Sequence, residues 1–209
     1  MDQFSTRSNH EIDYRIIGEE MQYVEVELDP NETAVAEAGS FLLMDDGIQM
    51  QTIFGDGSAQ NQGLMGKLFS AGKRLLTGES LFMTAFTNMS YGKKRVSFAS
   101  PYPGKIIPLD LQQLDGRIVC QKDSFLCAAK GVSVGIELQR KLGTGLFGGE
   151  GFIMQKLEGD GMAFVHAGGH VTKRELALGE ALLVDTGCLV ALTRDVHYDI
   201  EMVKGIRRC

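Results

Sequence analysis

The segment Tyr23-Val24-Glu25-Val26-Glu27-Leu28 puts an apolar residue at every second position with an acid between. Successive side chains of a strand point to opposite faces, so this alternation predicts a strand with one face in a core and the other in water. Asp29-Pro30-Asn31-Glu32 follows and reads as the turn that starts a β-hairpin. Short runs of the same style recur at Val96-Ser97-Phe98, Ile118-Val119-Cys120, Val132 to Leu138, Ala181 to Val184 and Cys188 to Leu192, each bounded by Gly, Pro, Asp or Asn. An all-β protein built of many short strands is the economical reading. One stretch departs from it. From Gly63 to Leu76, the apolar or small positions Leu64, Met65, Leu68, Ala71, Gly72 and Leu75 share one helical face, with Lys67, Lys73 and Arg74 mostly elsewhere. That spacing predicts one short amphipathic helix. The polar, glycine-rich run from Phe54 to Gln62 ahead of it reads as a loop.

A longer pattern lies over the strands. Residues 34–44 read AVAEAGSFLLM, 118–128 read IVCQKDSFLCA and 181–191 read ALLVDTGCLVA. Each block is an apolar run, a polar turn and a second apolar run. A partner element precedes two of them, Leu76 to Met83 matching Phe147 to Met154 with Gly78-Glu79 over Gly149-Glu150. Recurrence of this kind predicts a single domain, 1–209, of three repeats at about 14–60, 75–130 and 146–203. If the blocks are equivalent in space, Phe41, Phe125 and Cys188 share burial, as do Leu42, Leu126 and Leu189, because a one-residue slip would turn each pair to the other face.

Composition narrows the function classes. Hydrophobic residues at 44% and charged residues at 23% are those of a globular protein, and 26 glycines in 209 residues exceed the usual ~7%, which suits many tight turns. A net charge of -6 opposes nucleic-acid binding, which depends on clustered Lys and Arg against phosphates. Cys120, Cys127, Cys188 and Cys209 form no C-x-x-C pair, and the block alignment makes Cys120 and Cys188 small core hydrophobes. A reducing cytoplasm fits that usage. No apolar signal segment opens the chain, and no run reaches the 18 apolar residues of a membrane helix.

Candidate chemistry is sparse. Gly143 to Gly148 spells G-x-G-x-x-G, but Gly151 to Met154 after it reads as a strand, where a dinucleotide site needs a helix N-terminus; turn geometry is the simpler reading. His166 and His170, followed by Glu175, echo a cupin metal site, the sharpest enzymatic alternative: a metal-dependent β-barrel enzyme with these three as ligands. The four-residue spacing across Gly168-Gly169 reads instead as exposed histidines of a turn. Glu79 and Glu150 as an acid and base pair would need unlike environments, which matching positions do not supply, so each is read with Gly78 and Gly149 as a structural turn. No cofactor is expected. The 63–76 helix, through Leu64, Leu68, Phe69 and Leu75, is a candidate for a subunit interface or a peripheral membrane contact.

The segments LLTGESLFMTAF (75–86), PYPGKIIPLDL (101–111), KDSFLCA (122–128), LFGGEGFIMQKLEGDGMAFVHAGG (146–169) and LGEALLVDTGCLVAL (178–192) carry a resemblance. From about Ile16 to Val203 the chain is similar to a widespread domain of unknown function whose eukaryotic relatives are the altered-inheritance-of-mitochondria proteins. The resemblance implies an all-β fold of three repeats of the tryptophan RNA-binding attenuator-like, β-sandwich or double-stranded β-helix type, assembly as a homotrimer, and no established catalytic residues. Relatives similar to it usually continue past Val203-Lys204-Gly205 into a further strand and hairpin, whereas this chain stops at Cys209, which leaves the third repeat short of a strand. The expectation is a non-enzymatic, cytoplasmic, homo-oligomeric scaffold or binding protein that binds no nucleic acid.

Overall fold

A computed structural model describes residues 12–37, 39–54, 82–140 and 152–201. These residues are nearly all β, in three antiparallel sheets. The 64–76 helix and the Gly78, Glu79, Gly149 and Glu150 turns fall outside them.

The first strands are β1 (Asp13–Ile17), β2 (Tyr23–Leu28), β3 (Thr33–Glu37), β4 (Phe41–Met44), β5 (Ile48–Phe54), β6 (Phe82–Asn88) and β7 (Lys94–Ala99). Then follow β8 (Gly104–Asp110), β9 (Arg117–Gln121), β10 (Phe125–Ala129), β11 (Ser133–Arg140), β12 (Phe152–Glu158), β13 (Met162–Gly168) and β14 (Ala191–Thr193). One outer sheet runs β1-β2-β7-β4, the central sheet β5-β6-β3-β10-β13-β8, and the other outer sheet β11-β12-β9-β14.

The central sheet is covered on both faces. Val24, Val26 and Leu28 of β2, with Val96 and Phe98 of β7, pack with Ala34, Ala36, Phe86 and Leu126 in one core. Val35, Phe125, Ala128, Ala163 and Val165 turn the other way and join Ile118, Cys120 and Leu157 in a second. All five residues of β10 are buried, so no polar position interrupts Phe-Leu-Cys-Ala-Ala. β2, by contrast, is half in water as its alternation predicts: Glu25 and Glu27 project outward to Arg15, Lys93 and Arg95. The Lys93 and Arg95 hydrogen bonds hold the Glu27 carboxyl below its usual range. Such surface pairs contribute little to stability and mainly keep a charged outer face on the sheet.

Some strand neighbourhoods are alike in order. β7 lies between β2 and β4 as β13 lies between β8 and β10, and β6 lies between β5 and β3 as β12 lies between β11 and β9. Burial does not follow the sequence blocks. Phe41 is 40% exposed and Cys188 exposed, whereas Phe125 is 4% exposed. The reason is position: Phe125 sits on β10 inside the central sheet, while Phe41 sits on β4 at the end of an outer one. The expectation that Phe41, Phe125 and Cys188 share burial is therefore corrected, as is the core role given to Cys188; Cys120 is buried as expected. Two predicted strands are also corrected. Ala181 to Val184 joins no ladder, and of Cys188 to Leu192 only the last two residues lie in a strand, after a 3-10 turn at Thr186–Cys188.

Two buried amides differ in their partners. Asn88 donates to the carbonyls of Leu28 and Gly92, both at 2.8 Å, and accepts from Ser90, tying the turn after β2 to the turn after β6. Gln155, fully buried on β12, has no partner among the described residues for either side-chain polar atom. Removing a partner strands the other group, whereas removing an unpartnered polar group relieves a penalty. Asn88→Leu is expected to cost about 1–3 kcal/mol, since the buried Leu28 carbonyl loses its bond while the Gly92 carbonyl stays at the surface with Ser90. Gln155→Leu is expected to be neutral or stabilising, and urea unfolding midpoints of the two variants check the contrast.

Candidate interaction surface

β4 is a strand whose apolar residues are largely out of the core. Its Phe41-Leu42-Leu43-Met44 run is continuous in hydrophobicity, yet Phe41, Leu42 and Leu43 are all exposed. β4 pairs with β7 through Phe41 opposite Phe98 and Met44 opposite Val96, with a bulge between. Its second edge takes no partner among the described residues. The Phe41 ring stacks on Phe86 at 5.4 Å, and Phe86 meets Phe98 edge-on at 5.1 Å, so the aromatic core runs out to the surface at this strand. Met50 on β5 is a further exposed apolar side chain.

A second exposed apolar stretch lies between β13 and β14. Val171, Leu178, Leu182, Leu183 and Val184 all face solvent, with Leu183 at 97% exposure. The chain here is anchored at both ends, by Gly168 opposite Gly104 and by Ala191 opposite Cys120. Asp185 accepts from the Gly187 amide at 2.9 Å and shapes the turn between. Sheet edges and apolar side chains left open in this way are normally covered by a partner.

The edge of β8 shows how the chain covers an edge from within. The segment from Gly18 to Gln22 lies along it: Gly104 donates to the Glu20 carbonyl at 2.8 Å, Ile106 to the Gln22 side-chain oxygen at 2.8 Å, and Lys105 Nζ to the Glu19 carbonyl at 2.6 Å. Position 104 admits only glycine, because a Cβ there would run into the Ala167 carbonyl and the His166 imidazole.

The histidine hypothesis meets this geometry. His166 is buried on β13 opposite Ile106, which corrects the expectation of an exposed turn histidine. Its Nε2 has no partner among the described residues, and burial pushes the imidazole below the ordinary histidine range, opposed by a hydrogen bond with the Tyr102 backbone. His170 and Glu175 are exposed, and Glu175 pairs with Lys173 at 3.2 Å. Among the described residues no three His, Cys, Asp or Glu side chains are grouped to hold a metal, and these three are not brought together. Burial pushes the Cys120 thiol up to about 12 and the Cys127 thiol well above its ordinary value, so neither serves as a nucleophile. Leu64, Leu68, Phe69 and Leu75 lie outside the described residues. Sequence reasoning misses the β4 edge because a continuous apolar run reads as a strand buried on both faces; no local signal marks a strand as the last of its sheet.

An all-β fold of three sheets, with apolar strand edges in place of a catalytic cluster among the described residues, defines the class. The chain belongs to the AIM24 mitochondrial biogenesis family, whose model matches residues 14–209. An uncharacterized protein of Streptococcus pyogenes serotype M6 is 30% identical over 195 residues, covering 90% of this chain and 74% of that protein. The X-ray crystal structure of a Streptococcus pyogenes protein shares the fold, with a TM-score of 0.70 at 23% identity over 93% of this chain and 82% of that one.

His166 makes stability depend on pH. Its native pKa is depressed, so above the ordinary histidine value both folded and unfolded states are neutral there. As pH falls below that value the unfolded state takes up the proton first, and stability is lost. Urea unfolding at a series of pH values between ~7 and ~5 is expected to show that loss, reduced in His166→Leu.

Proposed function

We propose that this protein is a non-enzymatic, homo-oligomeric scaffold or binding protein. The observation that carries the reading is the open apolar edge of β4. A strand whose second edge takes no partner among the described residues, beside exposed Phe41, Leu42 and Leu43, is a template for another chain, and soluble assemblies favour closed symmetry. The resemblance makes a trimer the expected state. The cytoplasm is the proposed location, and the 63–76 segment, with Leu64, Leu68, Phe69 and Leu75 on one face, is the proposed peripheral contact with an anionic membrane. No helix among the described residues is long and apolar enough to cross a bilayer.

Light scattering at micromolar concentration is expected to give three times the 22.8 kDa chain mass. A monomer would end the oligomeric reading. Leu68→Asp with Leu75→Asp is expected to abolish co-sedimentation with anionic liposomes, and a variant that still binds them removes the membrane contact. Stoichiometric metal that disappears in His170→Ala would favour the enzymatic alternative instead.

A further inference from the structure

Strand neighbours supply a rule for what belongs on β4. β10 stands beside β13 as β4 stands beside β7. The other edge of β10 is occupied by β3, with Cys127 opposite Ala36. The same kind of contact is made again further along the chain, where β14 lies on β9 with Ala191 opposite Cys120. In sequence terms, the end of the second half of one block (Cys127 and Ala128, then Val190 and Ala191) lies against the first half of the block before it (Val35 and Ala36, then Cys120 and Gln121). The second half of the first block is β4, whose corresponding edge is open. The first half of the third block, Ala181 to Asp185, is the one first half that joins no ladder among the described residues.

We infer that Ala181 to Asp185 of a second copy of this chain adds to the open edge of β4, antiparallel, and forms the subunit interface. The inference rests on the oligomeric reading above and names its contact. Carrying the β10–β3 register across puts Leu43 opposite Leu183, and carrying the β14–β9 register puts Met44 opposite Leu183. The side chains match in kind. Phe41, Leu42 and Leu43 on one side and Leu182, Leu183 and Val184 on the other are exposed apolar residues at places where a partner strand would remove them from water. The occupant is a second copy because both stretches are open to solvent in the same chain, so neither covers the other there. The 181–185 stretch lies between two paired positions, Gly168 and Ala191, and forms a strand only when a partner's β4 meets it. An edge that accepts at one place and donates at another is a head-to-tail interface, which closes into a ring when the rotation allows.

Cross-linking in a mixture tests the contact. In a background of Cys188→Ser and Cys209→Ser, one protein carries Leu43→Cys or Met44→Cys and the other Leu183→Cys. Cα atoms opposite each other in an antiparallel ladder are ~4.5–5.5 Å apart, within disulfide reach. Mild oxidation of the mixture is expected to give a covalent heterodimer as the main product, absent when Leu178→Cys replaces Leu183→Cys. Leu43→Lys alone is expected to lower the oligomer mass while leaving the far-ultraviolet circular dichroism unchanged. No heterodimer, or a disulfide formed only within one chain that carries both cysteines, overturns the inference. Light scattering on the same protein without the cysteine pair separates the two failures. A monomer removes the oligomeric reading and the contact together, and an oligomer that does not cross-link leaves the oligomer standing and removes only this contact.

Discussion

Burial of the central sheet on both faces is the constraint on which the rest of the structure depends. β3, β10 and β13 cannot spare either face for water, so they carry Ala, Val, Phe, Leu and Cys without regular alternation. Each outer sheet then has one apolar face to give and one polar face to keep. β2 obeys that demand with Val24, Val26 and Leu28 inward and its two glutamates outward. Fully burying a side chain of this size contributes about 1.5–3 kcal/mol, so the two cores stabilise the fold far more than the ion pairs on the outside do.

Layering also decides where polar groups are tolerated. Asn88 is buried with every bond it needs, so it holds two turns in a fixed relation at no desolvation penalty. Gln155 and the Ser97 hydroxyl are buried without partners among the described residues, and the His166 Nε2 is in the same position. Such groups subtract from stability, and for His166 the subtraction grows as the medium acidifies because the charged ring is the form that burial opposes most.

The proposed function rests on edges rather than on a cluster of reactive groups among the described residues. The chain closes the β8 edge itself with the Gly18 to Gln22 segment, whose carbonyls and Gln22 side chain take the place of a strand. β4 has no such cover among the described residues, and the hydrophobic residues along it are those that a strand partner would shield.

Local pattern was enough for the fold class and for several elements. The alternation at 23–28 is a strand from Tyr23 to Leu28, the turn at 29–32 is a turn with Asn31 in the left-handed region, and Cys120 is buried. The family was legible from longer motifs. Burial of the matched blocks was not, because the block pattern specifies which residues are apolar, while the number of neighbours a strand acquires depends on strands distant in sequence. Phe125 and Phe41 share a local context of Ser-Phe-Leu, yet one is sealed between β3 and β13 and the other stands on an open edge. His166 escapes a local reading for the same reason: the glycines after it signal a turn, but β8, distant in sequence, pairs along its strand. The apolar and polar order along the chain determined that this protein is β and roughly where its strands run; tertiary pairing alone decided which strands are central and which edge is left open, since strand order is set by long-range hydrogen bonding that no local pattern encodes.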